Sequence, residues 1–149
     1  MRIYVDTSVF GGCFDPEFEK WSNKLILNFR SGKYKAVISE ISRFELKYAP
    51  DKVNKVVSEI PKEYVEFVKI TDEARNLSVN YLNEKVVTKR SVADTLHIAI
   101  ATIEKVDLLV SWNFKHIVNY DKIHRYNSVN IKYGYRTLEI RNPRDLTDE

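Results

Sequence analysis

Residues 3–8 read Ile3-Tyr4-Val5-Asp6-Thr7-Ser8. Three strand-forming side chains run without polar interruption into one carboxylate and two hydroxyls. An apolar run this short, β-branched and aromatic, predicts a buried strand whose carboxyl end is marked by Asp6. Locally, Asp6 has an ordinary explanation as a cap, because Asp, Thr and Ser all cap a helix or turn beginning near Val9. What decides between a cap and a functional acid is what the rest of the chain brings to that strand end.

Strands and helices alternate outward from this point. "KLILNFRSGK" (24–33) predicts a helix stopped by Gly32, and "YKAVIS" (34–39) a second strand. "EISRFELKYA" (40–49) places Ile41, Phe44 and Tyr48 on a helical stripe that ends before Pro50, and "KVNKVVSEI" (52–60) reads as a helix closed by Pro61. "VEFVKI" (65–70) is strand-like and "DEARNLSVNYLNEK" (72–85) helix-like. "SVADTLHIAIATIEK" (91–105) reads as an amphipathic helix with Val92, Leu96, Ala99 and Ile103 on one stripe. "DLLVSW" (107–112) is a strand, 114–133 predicts two short helical pieces, and "TLEI" (137–140) a last strand. This alternation predicts βαβ units and a mostly parallel sheet. Ligands of such sheets gather at the carboxyl ends of the strands, where Asp6 and Asn113 both fall.

With 149 residues and 44% hydrophobic side chains, the chain can build one real core, and no repeat or low-complexity linker divides it, so a single domain over 1–149 is expected. Cys13 is the only cysteine, which rules out an internal disulfide and a cysteine-based zinc site. No apolar run approaches the roughly 18 residues of a membrane span, and only three apolar residues follow Arg2, too few for a secretory signal. A reducing cytoplasm is the expected location. The formal charge of +3 is mildly basic and compatible with a nucleic-acid partner.

Glu45 shares its helix with Ile41, Phe44 and Tyr48, and no basic residue stands three or four positions away to pair with it. A carboxylate turned inward needs a metal, a distant cation or a raised pKa. Glu40 has Arg43 three residues on and reads as structural. Asp94 follows Ser91 at S-x-x-D, a spacing equally explained by a capping box. His97 shares the face of Asp94 and reads as a buried histidine hydrogen-bonded to its neighbours. Asp107 sits at the amino end of its strand, the wrong end for a shared pocket. Three acids from separate elements, Asp6, Glu45 and Asp94, can converge on one edge of a parallel sheet. Such a cluster needs cations, and oxygen-only ligands select Mg²⁺ or Mn²⁺.

The pieces "YVDTSVF", "ISEISRFEL", "ADTLHIAIA", "LLVSWNFKHI" and "LEIRNPRDL", in this order, resemble the PIN-domain metal-dependent nucleases, including the VapC-like toxins of toxin–antitoxin pairs. The resemblance spans essentially the whole chain. It implies a three-layer α/β/α sandwich around a parallel sheet, with Asp6, Glu45 and Asp94 as an acidic pocket for one or two divalent ions. Thr7 or Ser8 would then hold a water at the ion or a phosphate oxygen. Many relatives carry a fourth acid after the last core strand, where this chain has Asn113, which removes one negative charge and offers a carbonyl oxygen instead. Lys115 and His116 follow as candidate phosphate contacts.

The expected function is hydrolysis of RNA phosphodiester bonds by a Mg²⁺- or Mn²⁺-dependent endoribonuclease, with Asp6, Glu45, Asp94 and Asn113 as the catalytic set. Lys85, Lys89, Arg90, Lys115 and Lys122 flank the mouth. A small antitoxin covering the acids is the implied protein partner, and a homodimer is common among relatives. Two rivals stand beside this reading. One is a PIN-like RNA- or protein-binding module with weak or no activity, which Asn113 favours. The other is an aspartyl-phosphate enzyme with Asp6 as nucleophile, which the Ser8 two residues on disfavours.

Overall fold

The central strand of the protein is its first. A computed structural model describes residues 1–147, so the last two residues of the expected 1–149 domain lie outside the described residues. Strands β1 (Arg2–Val5), β2 (Lys35–Ser39), β3 (Val65–Val68), β4 (Leu108–Val110) and β5 (Ile140–Arg141) form one parallel sheet in the order β3-β2-β1-β4-β5. In β1, Ile3, Tyr4 and Val5 are all fully buried, as expected of a strand covered on both faces.

Alternation along the strands divides the core in two. Ile3, Val5, Ala36, Ile38, Leu108 and Val110 face helices α1 (Thr7–Gly12), α2 (Glu19–Arg30), α3 (Glu40–Leu46) and α4 (Asp51–Ser58), with α8 (Pro143–Thr147) joining the same side through Leu146. Tyr4, Val37 and Leu109 face α5 (Asp72–Asn83), α6 (Val92–Ile103) and α7 (Tyr120–Lys132). The result is the three-layer α/β/α arrangement, stabilised by side chains such as Phe29, Leu77 and Leu109, each contributing about 1.5–3 kcal/mol through burial. Strands β2 and β3 continue to one side of β1, whereas the chain reaches β4 on the other. The crevice where the order reverses therefore opens between the ends of β1 and β4.

Local chemistry sets the helix ends. Ser39 Oγ accepts from Ser42 N to start α3, Thr71 Oγ1 accepts from Ala74 N to start α5, and Asn119 Oδ1 accepts from Lys122 N to start α7. That last cap explains a departure from the sequence pattern. Residues 120–132 form one thirteen-residue helix, not two pieces, because residues 114–118 are held in a turn by Asn113 Oδ1 and O. The second departure is in α3. Phe44 and Tyr48 are 56% and 78% exposed, resting edge-to-face on each other, and the residues that α3 buries are Ser42 and Leu46. Of the apolar stripe that framed Glu45, Ile41 packs against the core while Phe44 and Tyr48 face solvent. The third is in α6, which is enclosed nearly all round from Thr95 to Thr102, so it has no single apolar stripe; Val92, expected on that stripe, is 41% exposed.

Close approach fixes the exit of β4 against α1. A Cβ on Gly12 would lie 2.6 Å from Ser22 Oγ and 2.8 Å from Trp112 Nε1, atoms that are themselves hydrogen-bonded at 2.8 Å. Gly11, one residue earlier in α1, has open space around it. Gly12→Ala is expected to destabilise by about 1–3 kcal/mol through overpacking. Gly11→Ala is expected to be neutral or stabilising by up to about 1 kcal/mol, through helix propensity. Urea unfolding of the two variants checks the contrast.

Candidate metal and catalytic site

Asp6 leaves β1 at the crevice between β1 and β4, where Asp6 N donates to Val110 O at 3.0 Å. Its backbone occupies the N-cap position of α1, but its side chain makes no capping hydrogen bond. Instead Oδ2 accepts from Ser8 Oγ and from Ser111 Oγ, both at 2.7 Å. Those hydroxyls also accept from Trp112 N (3.0 Å) and Asn113 N (2.9 Å), so the exits of the two strands are stitched together through one carboxylate oxygen. Oδ1 remains turned into the crevice, 3.5 Å from His97 Nε2.

Glu45 arrives from the last turn of α3. Its Oε1 accepts from Thr7 Oγ1 at 2.8 Å and from His97 Nε2 at 2.7 Å. His97, on α6, is fully buried, and its other nitrogen lies 2.6 Å from the Tyr4 hydroxyl, which in turn lies 2.6 Å from Ser39 Oγ. With Glu45 held ionised and the imidazole held protonated, Nε2 is the donor to Glu45. His97 therefore serves the acids as a donor in the metal-free protein. Burial pushes the His97 pKa down, but the Tyr4 oxygen, the Glu45 hydrogen bond and the Asp6 and Glu45 charges outweigh it and hold the imidazole well above its ordinary value. Burial pushes Glu45 up, yet the hydrogen bond and charge of His97, with Thr7, hold it below the usual carboxylate value.

Asp94 lies in the first turn of α6, and Ser91 makes no side-chain cap with it. Asp94 Oδ1 accepts from Asn113 Nδ2 at 3.1 Å. The orientation of that amide is fixed, because Asn113 Oδ1 accepts from the backbone N–H groups of Lys115 (3.2 Å) and His116 (2.9 Å). Asn113 thus turns its nitrogen to the acid and its oxygen to the backbone; the carbonyl offered to a metal in the sequence reading is already engaged. Burial and then the charge of Asp6 push the Asp94 pKa up, with Glu45 adding to the effect and His116 and His97 opposing it.

The crevice therefore gathers Asp6, Thr7, Ser8, Glu45, Asp94 and Asn113. The hydroxyl protons of Thr7 and Ser8 both go to carboxylates. Lys115 and His116 stand beyond Asn113 and line a neighbouring cleft. Glu40 accepts from Ile70 N at 2.8 Å, and Asp107 accepts from Arg2 N at 2.7 Å at the opposite end of the sheet. The tightest group with ligating atoms is Asp6, Glu45 and His97, all within 4.8 Å of one another, with Asp94 outside that trio. Since the His97 proton faces Glu45, the oxygens of Asp6 and Glu45 are the donors there, and Asp94 is the third carboxylate nearby. This oxygen set, with an Asp94 charge raised in energy by its neighbours, suits a hard divalent cation.

His97, Tyr4 and Ser111 complete the site, and only His97 carried a signal in the sequence, as a histidine one turn from Asp94. Tyr4 looked like any strand residue. Ser111 was hidden inside an apolar run.

Two outcomes follow for the metal-free protein. Glu45, held below its unfolded value, contributes stability above that value and loses it as pH falls through the folded one; His97, held above its unfolded value, contributes fully below it and loses it as pH rises through the folded one. The His97→Gln variant is therefore expected to differ most from wild type between about pH 4.5 and 6.5, by about 1–3 kcal/mol, with the gap closing on either side. Urea unfolding across pH reads this. Asp94→Asn, which removes a crowded charge, is expected to raise the melting temperature at pH 7 by about 2–4 °C without metal and to reduce the further rise that Mn²⁺ gives the wild type.

No family model matches the sequence, and no curated protein matches it. Solved structures match it in fold. A chain of VapBC2 from Rickettsia felis, bound to a promoter DNA fragment, aligns with TM-score 0.57 at 18% identity over 95% of this chain and 98% of that one. A chain of DNA-bound VapBC from Salmonella typhimurium aligns with TM-score 0.56 at 17% identity, over 96% and 98%. A chain of a toxin–antitoxin complex from Klebsiella pneumoniae gives 0.55 at 16%, over 76% and 88%. Two of the three are VapBC complexes bound to DNA, and the third is a toxin–antitoxin complex. At these identities the likeness is one of architecture, and with the five-stranded parallel sheet flanked by helices it gives this chain a PIN-like fold.

Proposed function

We propose that this chain is a divalent-metal-dependent endoribonuclease that acts as the toxin of a toxin–antitoxin pair. The observation that carries the reading is the meeting of Asp6, Glu45 and Asp94, from three separate elements, at the strand-order reversal of a PIN-like sheet. Asp6 and Asp94 would hold the ion, with Glu45 beside them, and oxygen donors favour Mg²⁺ or Mn²⁺. When bound, the ion supplies charge neutralisation at the phosphate and lowers the pKa of water.

The chain's own residues prepare the site before substrate arrives. Ser8 and Ser111 fix the Asp6 rotamer, Thr7 and His97 fix Glu45, and Asn113 fixes Asp94. Glu45 is held ionised and half-exposed, so it can orient a water or take its proton. The substrate would be single-stranded or looped RNA, since a phosphate must descend to buried acids. A small antitoxin would close the site by bringing a cationic side chain to these carboxylates, Arg being the best match. Among the described residues no helix is long and apolar enough to cross a membrane, and a cytoplasmic location fits an RNA substrate.

One observation favours a second reading. Asn113 stands where a fourth acid would strengthen metal binding, and its oxygen is engaged by backbone, as suits a binding module that retains the fold. Incubation with single-stranded RNA separates the two. A nuclease cleaves in Mn²⁺, stops in chelator, and loses about 100-fold or more of its rate on Asp6→Asn or Asp94→Asn. Equal cleavage in all of these conditions would place the activity in a contaminant, and RNA retention without cleavage in any metal would leave the binding module.

A further inference from the structure

A second concavity adjoins the acids, and its chemistry differs from theirs. It measures about 550 Å³ and lies between the connection from α5 to α6 and the turn after β4, lined by Leu82, Lys85, Val86, Val87, Thr88 and Lys89 on one side and Lys115, His116 and Lys122 on the other. Val86 and Val87 are almost fully buried beside the partly buried Leu82, giving an apolar floor. The rim carries four lysines and one histidine, and no lining residue is an acid. Lys85, Lys89 and Lys115 make no ion pair among the described residues. The larger cleft beside β5 behaves differently, since Asp107, Glu139 and Asp145 line it together with its arginines.

The walls are held in place. Lys85 takes the left-handed conformation (φ 57°) that turns the chain out of α5, and Val86 N returns to Tyr81 O at 3.1 Å. From α7, Lys122 Nζ donates to Val86 O at 2.7 Å and Arg125 Nη2 to Lys85 O at 2.6 Å. The opposite wall connects directly to the acids, because His116 N donates to Asn113 Oδ1 and Asn113 Nδ2 donates to Asp94 Oδ1. His116 Nδ1 is buried and has no hydrogen-bond partner among the described residues.

We infer that this cleft is a nucleotide subsite. It takes one unpaired base of single-stranded RNA against Leu82, Val86 and Val87, while Lys89 and Lys115 hold the flanking phosphates and lead the strand past Asp94. The inference rests on the ribonuclease reading and assigns that reaction a place for its substrate. The volume falls within the usual range for small-ligand pockets, an apolar floor with a cationic rim matches a base and its phosphates, and a paired base could not enter. The floor of Leu82, Val86 and Val87 has no hydrogen-bonding side chain and selects only for an unpaired base, while Thr88 and His116 are the lining side chains able to hydrogen-bond its edge.

The test is a binding titration in EDTA, where cleavage is stopped, using a labelled single-stranded RNA hexamer and an abasic sugar–phosphate hexamer of the same charge. Wild-type protein is expected to bind the RNA hexamer about tenfold more tightly than the abasic one. Lys89→Ala/Lys115→Ala is expected to weaken RNA binding by about tenfold and to flatten its salt dependence by about 1.4 in slope, from two phosphate contacts. Equal binding of the two probes by wild type would overturn the subsite, and that comparison needs no variant to fold. Unchanged RNA binding by the double variant would overturn its location. Tight, base-dependent binding in a protein that cleaves in no metal would contradict the nuclease reading while leaving the subsite in place.

Discussion

Carboxylates brought together away from bulk water repel, and this constraint organises the centre of the molecule. Asp6, Glu45 and Asp94 are each held by donors from a different neighbour: serine hydroxyls for Asp6, Thr7 and His97 for Glu45, and the Asn113 amide for Asp94. Behind His97, the Tyr4 and Ser39 hydroxyls extend the network along the face of the sheet that packs on α6. Because these donors come from β1, β2, α1, α6 and the exit of β4, the acids are positioned only when the whole sheet is assembled.

The topology serves the same end. The reversal of strand order beside β1 opens a crevice, and β1 and β4 both deliver polar residues there immediately after fully buried apolar ones. Ser8 and Ser111 share Asp6 Oδ2, so the spacing between the two strand ends is set by hydrogen bonds and not only by sheet pairing. The repulsion that remains is expressed at Asp94, where crowding and burial raise the energy of the ionised form. On the proposed reading a bound cation would relieve that strain, and the cost of the cluster would become affinity for a metal.

The strands and most helices were legible because their signals are local: β-branched runs, Gly32 and Pro50 as stops, and Ser, Thr or Asn at helix starts. Asp6, Glu45 and Asp94 are legible as acids at element ends; for Glu45 the apolar stripe is only a partial guide, since Ile41 packs on the core while Phe44 and Tyr48 face solvent, and the distant cation that the carboxylate calls for is His97. Periodicity cannot tell a buried apolar stripe from an exposed one on a helix of seven residues. The role of Ser111 and the orientation of the Asn113 amide depend on contacts across about a hundred residues and on backbone N–H groups in a turn, neither of which leaves a pattern in the sequence.

On the reading proposed above, Asp6, Glu45 and Asp94 are gathered to hold a cation. Anomalous diffraction from crystals soaked in Mn²⁺ shows whether they do. A peak is expected between Asp6 and Asp94, within about 2.0–2.5 Å of carboxylate oxygens. A peak only at surface carboxylates, or none in the crevice at saturating Mn²⁺, would contradict it.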